Sequence, residues 1–176
     1  MPGGLVIVFT GDGKGKTSAA LGIALRAIGH KKYVSIVQFI KSASAVGEAL
    51  AAERLSPELE FVSLGRGFVT GVQDKDRMSA HRAAAEQALA EARRRMLSGS
   101  WDVLVLDELN NAVKLGLLDI VGVMELVRDK PPKLHMIFTG RDAHPELIAA
   151  ADLVTEMRCM KHPYDSGTPA VRGIDF

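Results

Sequence analysis

The sequence predicts an α/β fold with a mostly parallel sheet of about six strands flanked by helices. Short apolar runs rich in β-branched residues alternate with helical patterns, an order that is typical of a doubly wound sheet. Several of these runs are apolar almost throughout, as expected of strands that helices cover on both faces. The chain has 176 residues and shows neither an internal repeat nor a long linker, so we expect one domain over residues 1–176.

The predicted elements follow one another in a regular order. The first strand, 5–9, leads through a glycine-rich turn into an Ala- and Leu-rich helix over 17–28. The longest helix is predicted over 80–97, and the arginines at 93–95 suit the negative end of its dipole and are interpreted as a solvated helix end. Prolines and glycines after 157 predict an ordered or semi-ordered loop segment. Further strands are predicted at 34–39, 60–64, 103–106, 134–138 and 153–157.

The composition excludes several classes of protein. Hydrophobic residues make up 47% and charged residues 24% of the chain, a globular balance that argues against disorder. The formal net charge of +1 provides no field that would steer the molecule to nucleic acid or a membrane surface. Cys159 is the single cysteine, which excludes an intramolecular disulfide and a multi-cysteine zinc site. No signal-peptide pattern and no membrane-span pattern is present, so we expect a cytoplasmic protein.

A glycine-rich turn joins the first strand to the first helix, which is the context of a phosphate-binding loop. The turn runs from Thr10 to Thr17 with the sequence TGDGKGKT. Its glycines lack a Cβ, so the backbone can direct several N–H groups inward, while Lys16 adds a point charge and Thr17 a hydroxyl that can bind Mg²⁺. Thr10 stands where the usual pattern has its first glycine. A turn that merely joins strand to helix is the alternative, but the Gly-Lys-Thr triplet and its flanks favour nucleotide binding.

A second motif is the apolar strand over 103–106, which ends in Asp107 and Glu108. In phosphate-loop proteins an acidic residue at a strand end faces the Mg²⁺ held near the hydroxyl of the loop. Adjacent side chains of a strand point to opposite faces, so we expect only one of the two carboxylates to approach the metal closely. Alone, such a strand end is explained equally well by an acid at a helix N-terminus. Together with the loop, it predicts a magnesium site formed by Thr17, Glu108 and Asp107.

Several further segments occur along the chain in a fixed order. They are VQFIK at 37–41 with GE at 47–48, LDELN at 106–110, TGRDA at 139–143, ADLVTEM at 151–157, KHPYDSG at 161–167 and RGIDF at 172–176. With the loop GDGKGKT at 11–17, these segments closely resemble the P-loop family of cob(I)alamin (corrinoid) adenosyltransferases, including that family's missing first loop glycine. The resemblance covers essentially the whole chain and keeps the order and spacing of the motifs.

The resemblance implies a RecA-like P-loop NTPase fold and a homodimeric, Mg²⁺-dependent enzyme that binds ATP and a corrinoid. It implies transfer of the 5′-deoxyadenosyl group to cobalt(I) with release of triphosphate, in adenosylcobalamin biosynthesis or salvage. It also implies that ATP lies in the loop in the reverse of the common direction. Lys41 and Arg141 follow strand ends, where ligands of open α/β sheets bind, although either could be an ordinary surface cation. The predicted ATP-binding residues are Gly11, Asp12, Gly13, Lys14, Gly15, Lys16, Thr17, Ser18, Lys41 and Arg141.

The segment GFVTGVQD at 67–74 resembles a corrinoid-facing segment of the same family with one departure. Thr70 stands where the family often has a Trp that helps to remove the lower axial ligand of cobalt. Phe68 is the candidate for an apolar wall that favours the four-coordinate corrinoid, with a core Phe under a loop as the alternative. Together with Lys16 it forms the predicted catalytic pair. The predicted corrinoid-binding residues are Phe68, Thr70, Gln73 and Asn110.

The implied chemistry requires no protein nucleophile, because cobalt(I) is itself a strong one. The protein must aim cobalt at C5′ in line with the departing triphosphate, and Lys16, the loop N–H groups and Mg²⁺ stabilise the charge that develops there. No flavin or iron–sulfur motif is present, so we expect an external electron donor. His162 is interpreted as a hydrogen-bonding residue and not as a cobalt ligand. Two alternatives stay open: a small-molecule kinase or NTPase, and a non-catalytic corrinoid- or nucleotide-binding module.

Overall fold

The computed structural model describes residues 3–40, 47–67 and 75–174, in which strands and helices alternate. The strands are β1 Val6–Thr10, β2 Val34–Gln38, β3 Leu59–Ser63, β4 Val103–Asp107, β5 His135–Thr139 and β6 Leu153–Glu156. The helices are α1 Lys16–Gly29, α2 Gly47–Glu53, α3 Lys75–Leu97, α4 Leu109–Lys114, α5 Ile120–Asp129 and α6 Pro145–Ala150, and a 3₁₀ turn covers Pro163–Ser166.

The six strands of these described ranges form one parallel sheet in the order β3-β2-β4-β5-β1-β6. This arrangement confirms the predicted fold class. Because all the strands run in the same direction, the loop that follows β1 and the acidic residues at the end of β4 lie at one edge of the sheet. The two are not neighbours there, since β5 lies between β1 and β4. The outer strand β6 is exposed along its whole length.

Helices cover the two faces of the sheet and form two apolar cores. One face is covered by α1, and the other by α3 and α5. The small side chains of the facing alanines allow the helices to approach the strands closely. The buried residues of α1 are Ala20, Ala24 and Ala27, and those of α3 on the opposite face include Ala85, Ala88, Ala92 and Met96.

The boundaries of most elements lie within one or two residues of the predicted ones, with α3 as the exception. The helix begins at Lys75, whereas the sequence pattern predicted a start at residue 80. Residues 75–79 are mostly charged or polar and carry no apolar repeat by which a helix could be predicted. Within the described ranges, no helix has the length and apolar character needed to cross a membrane.

The arginine run near the end of α3 differs from its interpretation as a solvated helix end. Arg95 is only 7% exposed. Its Nε donates to Oε1 of Glu91 at 2.6 Å, and its Nη1 donates to Oγ of Ser35 at 2.9 Å and to Glu60. The guanidinium also lies over the ring of Trp101, 5.7 Å from its centroid. The interpretation is wrong for Arg95 because this residue lies on the sheet-facing side of the helix, whereas Arg94 is exposed and Arg93 is half-buried.

Candidate active site

The phosphate loop between β1 and α1 is packed against the segment that follows β6. The N–H of Gly13 donates a hydrogen bond of 2.7 Å to the carbonyl of Met157. A Cβ on Gly13 would lie 2.7 Å from the carbonyl oxygen of Arg158, and a Cβ on Gly11 would overlap the Met157 carbonyl. Gly15 has a φ of 109°, a conformation that side chains disfavour. The glycines therefore serve the packing of the loop as well as its curvature.

Lys16 lies at the first position of α1 with its ammonium turned into the loop. Its Nζ donates to the carbonyls of Gly11 at 2.6 Å and Gly13 at 2.7 Å. Burial and then the positive charge of Arg141 lower the pKa of Lys16, and neighbouring carboxylates, Glu108 foremost, oppose that shift. Two cations thus disfavour each other across this site, and a bound polyanion would relieve their repulsion. The loop has the electrostatics of a site for a polyanion.

Asp107 is fully buried and connects the loop to the centre of the sheet. Its Oδ1 accepts hydrogen bonds from the hydroxyls of Thr17 at 2.8 Å and Thr139 at 2.7 Å. Its Oδ2 accepts from Nε2 of Gln38 at 2.9 Å, the residue directly opposite in β2. Both carboxylate oxygens are therefore engaged by side-chain donors, so Asp107 orients the Thr17 hydroxyl.

Glu108 differs from its neighbour in that it lines an open cavity beside the loop. Thr17 and Glu108 bring a hydroxyl and a carboxylate to the same cavity, and hard oxygen donors of this kind suit Mg²⁺. In the described part of the chain, no group of three His, Cys, Asp or Glu residues could hold a metal by itself. A Mg²⁺ ion that also binds the phosphate oxygens of a substrate usually has only one or two protein ligands. Thr17 and Glu108 therefore fit such an ion.

The cavity has a volume of about 780 Å³, which is large enough for a nucleotide-sized ligand. It extends from the loop along one side of α1 to α2, so it has a charged end and an apolar end. Predicted residues that line it are Asp12, Gly13, Lys14, Gly15, Lys16, Thr17, Ser18, Glu108 and Arg141. Lining residues absent from the prediction include Leu21, Leu25, Glu48, Ala51, Leu55, Asn111, Gly173 and Ile174. The leucines at 21 and 25 lie one helical turn apart, which was the available sequence signal for the apolar end.

The segment after β5 closes the charged end of the cavity. The Arg141 guanidinium lies 3.9 Å from the Asp12 carboxylate, and the Arg141 N–H donates to Oδ1 of Asn111. The hydroxyl of Thr10 accepts a hydrogen bond of 3.0 Å from the N–H of Ala143. Thr10 thus ties the start of the loop to the segment that carries Arg141, a contact that glycine at this position could not make.

The other predicted residues are placed as follows. Asn110 is buried, and its Nδ2 donates to the carbonyl of Gly140 at 3.3 Å; the neighbouring Asn111 is the one that lines the cavity. His162 accepts a hydrogen bond from the N–H of Tyr164 at 3.1 Å, the kind of role predicted for it. Lys41, Phe68, Thr70 and Gln73 lie outside the described residues, so their predicted roles stay predictions.

Comparison with known proteins identifies a family over nearly the whole chain. Residues 3–176 match the family model described as ATP:corrinoid adenosyltransferase BtuR/CobO/CobP. The chain is 39% identical over 173 residues to a corrinoid adenosyltransferase of Pseudomonas aeruginosa, covering 98% of this chain and 84% of the relative. It is 38% identical over 174 residues to a corrinoid adenosyltransferase of Escherichia coli K12, covering 98% and 86%.

Solved structures of other proteins support the fold. The flagellar accessory protein FlaH of Methanocaldococcus jannaschii superposes with a TM-score of 0.51 at 11% identity, covering 89% of this chain and 72% of that protein. A KaiC-like protein of Pyrococcus horikoshii OT3 superposes with a TM-score of 0.52 at 14% identity, covering 89% and 74%. At these identities the similarity concerns the fold alone, and it agrees with the RecA-like P-loop architecture predicted from the sequence.

Proposed function

Since this chain belongs to the ATP:corrinoid adenosyltransferase family BtuR/CobO/CobP, it is an enzyme that adenosylates corrinoids with ATP in cobalamin biosynthesis, and we propose how its residues share that work. The loop, Lys16 and the start of α1 bind the triphosphate, and Thr17 with Glu108 holds Mg²⁺. The observation that carries this proposal is the convergence of Lys16, Thr17, Glu108 and Arg141 on one cavity of nucleotide size.

On the triphosphate side, the protein stabilises the leaving group. As the Co–C5′ bond forms with the electron pair of cobalt(I), the C5′–O bond breaks and its pair leaves with the triphosphate. The ammonium of Lys16, the guanidinium of Arg141 and the N-terminal dipole of α1 face the charge that grows there. Gly11, Asp12, Gly13, Lys14, Gly15 and Ser18 complete the proposed ATP site, with Lys41 as a further cation.

On the metal side, Thr17 and Glu108 supply oxygen ligands and Asp107 keeps the Thr17 hydroxyl oriented. Bound Mg²⁺ would neutralise part of the charge of the triphosphate. Asp107 accepts hydrogen bonds through both carboxylate oxygens, which supports the expectation that only one carboxylate of the acidic pair approaches the metal closely. Glu108 is our choice for that carboxylate.

The corrinoid side of the proposal rests on the family resemblance. Phe68 provides an apolar wall for the corrinoid, and Gln73 and Thr70 belong to the same segment. For Asn110 the proposed role is harder to reconcile with its burial, and Asn111 is the neighbour that faces the cavity. We further propose that the enzyme is a cytoplasmic homodimer and that an external electron donor reduces the cobalt of the corrinoid to cobalt(I).

The decisive experiment is anaerobic incubation with ATP, Mg²⁺ and chemically reduced cobalamin. The corrin spectrum and the released phosphates are followed together. We expect conversion to the light-sensitive adenosylated corrinoid with an equal amount of inorganic triphosphate. ADP with free phosphate or a phosphorylated acceptor would instead identify a kinase or NTPase. Tight ATP binding with no conversion of cobalamin or of a precursor corrinoid would identify a binding module.

The metal role has its own test. Glu108→Gln keeps the size of the side chain but removes its charge, so it should raise the Mg²⁺ concentration needed for half-maximal turnover by about tenfold or more. Glu146→Gln, at an acid on α6 away from the cavity, is the matched control. An unchanged Mg²⁺ requirement in Glu108→Gln would remove Glu108 from the metal site.

A further inference from the structure

Thr139 is a buried threonine that lies between the two halves of the site. It ends β5, the strand between β1 and β4. In the sheet register Thr139 lies opposite Phe9 of β1. On its other side Phe138 pairs with Leu106, so Thr139 and Asp107 are the next residues along these neighbouring strands. The sheet thus places the Thr139 hydroxyl at the level where both the loop and the acidic motif begin.

The Thr139 hydroxyl makes two hydrogen bonds, and each has a defined direction. Its Oγ1 lies 3.0 Å from the backbone nitrogen of Glu108, which can only donate. Its single proton is therefore directed to Oδ1 of Asp107, at 2.7 Å. One hydroxyl holds both the side chain of Asp107 and the main chain of Glu108.

Both hydrogen-bond partners of Thr139 have a conformation or contact that the site depends on. Glu108 has a φ of 63°, a left-handed conformation that non-glycine residues rarely adopt and that persists only when the surroundings enforce it. The same Oδ1 of Asp107 accepts the hydrogen bond of the Thr17 hydroxyl. Thr139 therefore acts on the two side chains that face the cavity, Thr17 through Asp107 and Glu108 through its backbone.

We propose that Thr139 is a positioning residue for adenosyl transfer: its hydroxyl sets the geometry of Thr17 and Glu108 and thereby the Mg²⁺ affinity of the site. Because Thr139 is fully buried, it acts through these two residues. The inference rests on the proposed function, in which Thr17 and Glu108 hold the metal. The Mg²⁺ affinity of the site would thus depend on a residue of β5, although the proposed metal ligands follow β1 and β4.

Two variants test the inference. Thr139→Val keeps the shape of the side chain and removes the hydroxyl, while Thr139→Ser keeps the hydroxyl. ATP binding is measured by titration calorimetry in a Mg²⁺ series and in a chelator, with turnover and the unfolding midpoint as parallel readouts. For Thr139→Val we expect the Mg²⁺ concentration at half-maximal ATP binding to rise by about tenfold or more. Binding in the chelator should stay within about twofold of the wild type, and Thr139→Ser should restore the wild-type Mg²⁺ requirement.

A purely structural role gives a different pattern. It would weaken ATP binding equally with and without Mg²⁺, and this result, or a wild-type Mg²⁺ requirement in Thr139→Val, overturns the inference. Should Thr139→Val not fold, Thr139→Cys offers a weakly hydrogen-bonding group of similar size; a raised requirement supports the inference and an unchanged one overturns it. If wild-type ATP binding is itself independent of Mg²⁺, the proposed metal role of Thr17 and Glu108 fails and the inference fails with it.

Discussion

The N–H of Gly13 donates a hydrogen bond of 2.7 Å to the carbonyl of Met157, which joins the phosphate loop to the segment beyond β6. The two segments approach so closely that a methyl group on Gly13 would clash with the backbone of Arg158. Glycine is therefore required at position 13 because the segment after β6 packs directly against the loop. The N–H of Gly13 is also engaged by that segment, so the loop N–H groups are not all available to bind phosphate. The geometry leads to the first prediction.

Gly13→Ala should destabilise the protein and weaken ATP binding, because the new Cβ would lie 2.7 Å from backbone atoms of Arg158 that cannot move away cheaply. We expect a loss of about 1–3 kcal/mol in the free energy of unfolding, measured by urea denaturation. Gly22→Ala is the control, since a Cβ there meets nothing within 4 Å. In the middle of α1 it should stabilise by about 0.5–1 kcal/mol. Equal effects at both positions would contradict this account.

Lys16→Ala should nearly abolish turnover. In the role proposed for Lys16 its ammonium stabilises the charge that develops on the triphosphate, and loss of such a group lowers kcat by about 100-fold or more. Lys133→Ala, at an exposed lysine far from the loop, should retain wild-type activity. The measurement is the initial rate of corrinoid adenosylation at saturating ATP. Near-normal activity in Lys16→Ala would exclude the triphosphate role of the loop.

Arg95→Met should destabilise the protein by about 3 kcal/mol, because Glu91 and Ser35 would lose a buried partner. Arg94→Met is the matched control one residue earlier. Arg94 also pairs with Glu91 but is exposed, so its removal should leave the unfolding midpoint nearly unchanged. Chemical denaturation of the two variants compares them directly, and similar midpoints would mean that the buried network contributes little.

The stability of the protein should fall as the pH drops below about 6.5, the usual pKa of histidine. Nδ1 of His135 accepts a hydrogen bond of 3.1 Å from the N–H of Leu5, and burial, then Lys32 and Lys130, lower the pKa of His135. Below pH 6.5 the unfolded chain binds a proton that the folded chain resists, so acid favours unfolding until the lowered pKa is reached.

His135→Gln should flatten this acid dependence, because glutamine offers an acceptor that does not titrate. Unfolding midpoints between pH 5 and pH 8 provide the measurement. The exposed His30, changed to Gln, serves as the control and should keep the wild-type dependence. If His135→Gln loses stability toward acid as steeply as the wild type, other groups are responsible.

Thr70→Trp should raise activity most with corrinoids that carry a strong lower ligand. The resemblance of this segment to its family counterpart implies that Thr70 replaces a Trp that helps to displace the lower ligand before cobalt(I) forms. The comparison is kcat/KM for complete cobalamin and for a corrinoid without a lower ligand, with wild type and variant measured together. An equal gain with both corrinoids would contradict the role given to this segment.

Much of the fold was predictable from local pattern. Apolar β-branched runs identified the six strands of the described residues, and the glycine-rich pattern identified the loop that lines the cavity, because both depend on neighbours in sequence. The burial of Arg95 was not predictable, since its partners Ser35 and Glu60 come from strands far away in the chain. The pattern also could not show that Asn110 is buried while Asn111 lines the cavity, since the partner of Asn110, the carbonyl of Gly140, is likewise distant in the chain.

The position of β5 in the sheet also has a consequence for folding during synthesis. The neighbours of β1 in the sheet are β5 and β6, so during synthesis the first strand leaves the ribosome with both edges unpaired. β1 remains unpaired while β2, β3 and β4 are synthesised, and only then can β5 pair with β4 on one side and with β1 on the other. Unpaired edges of apolar strands invite aggregation, and such distant pairings form slowly. The phosphate loop, although it is translated before the rest of the site, is thus completed only when β6 and Met157 have also emerged.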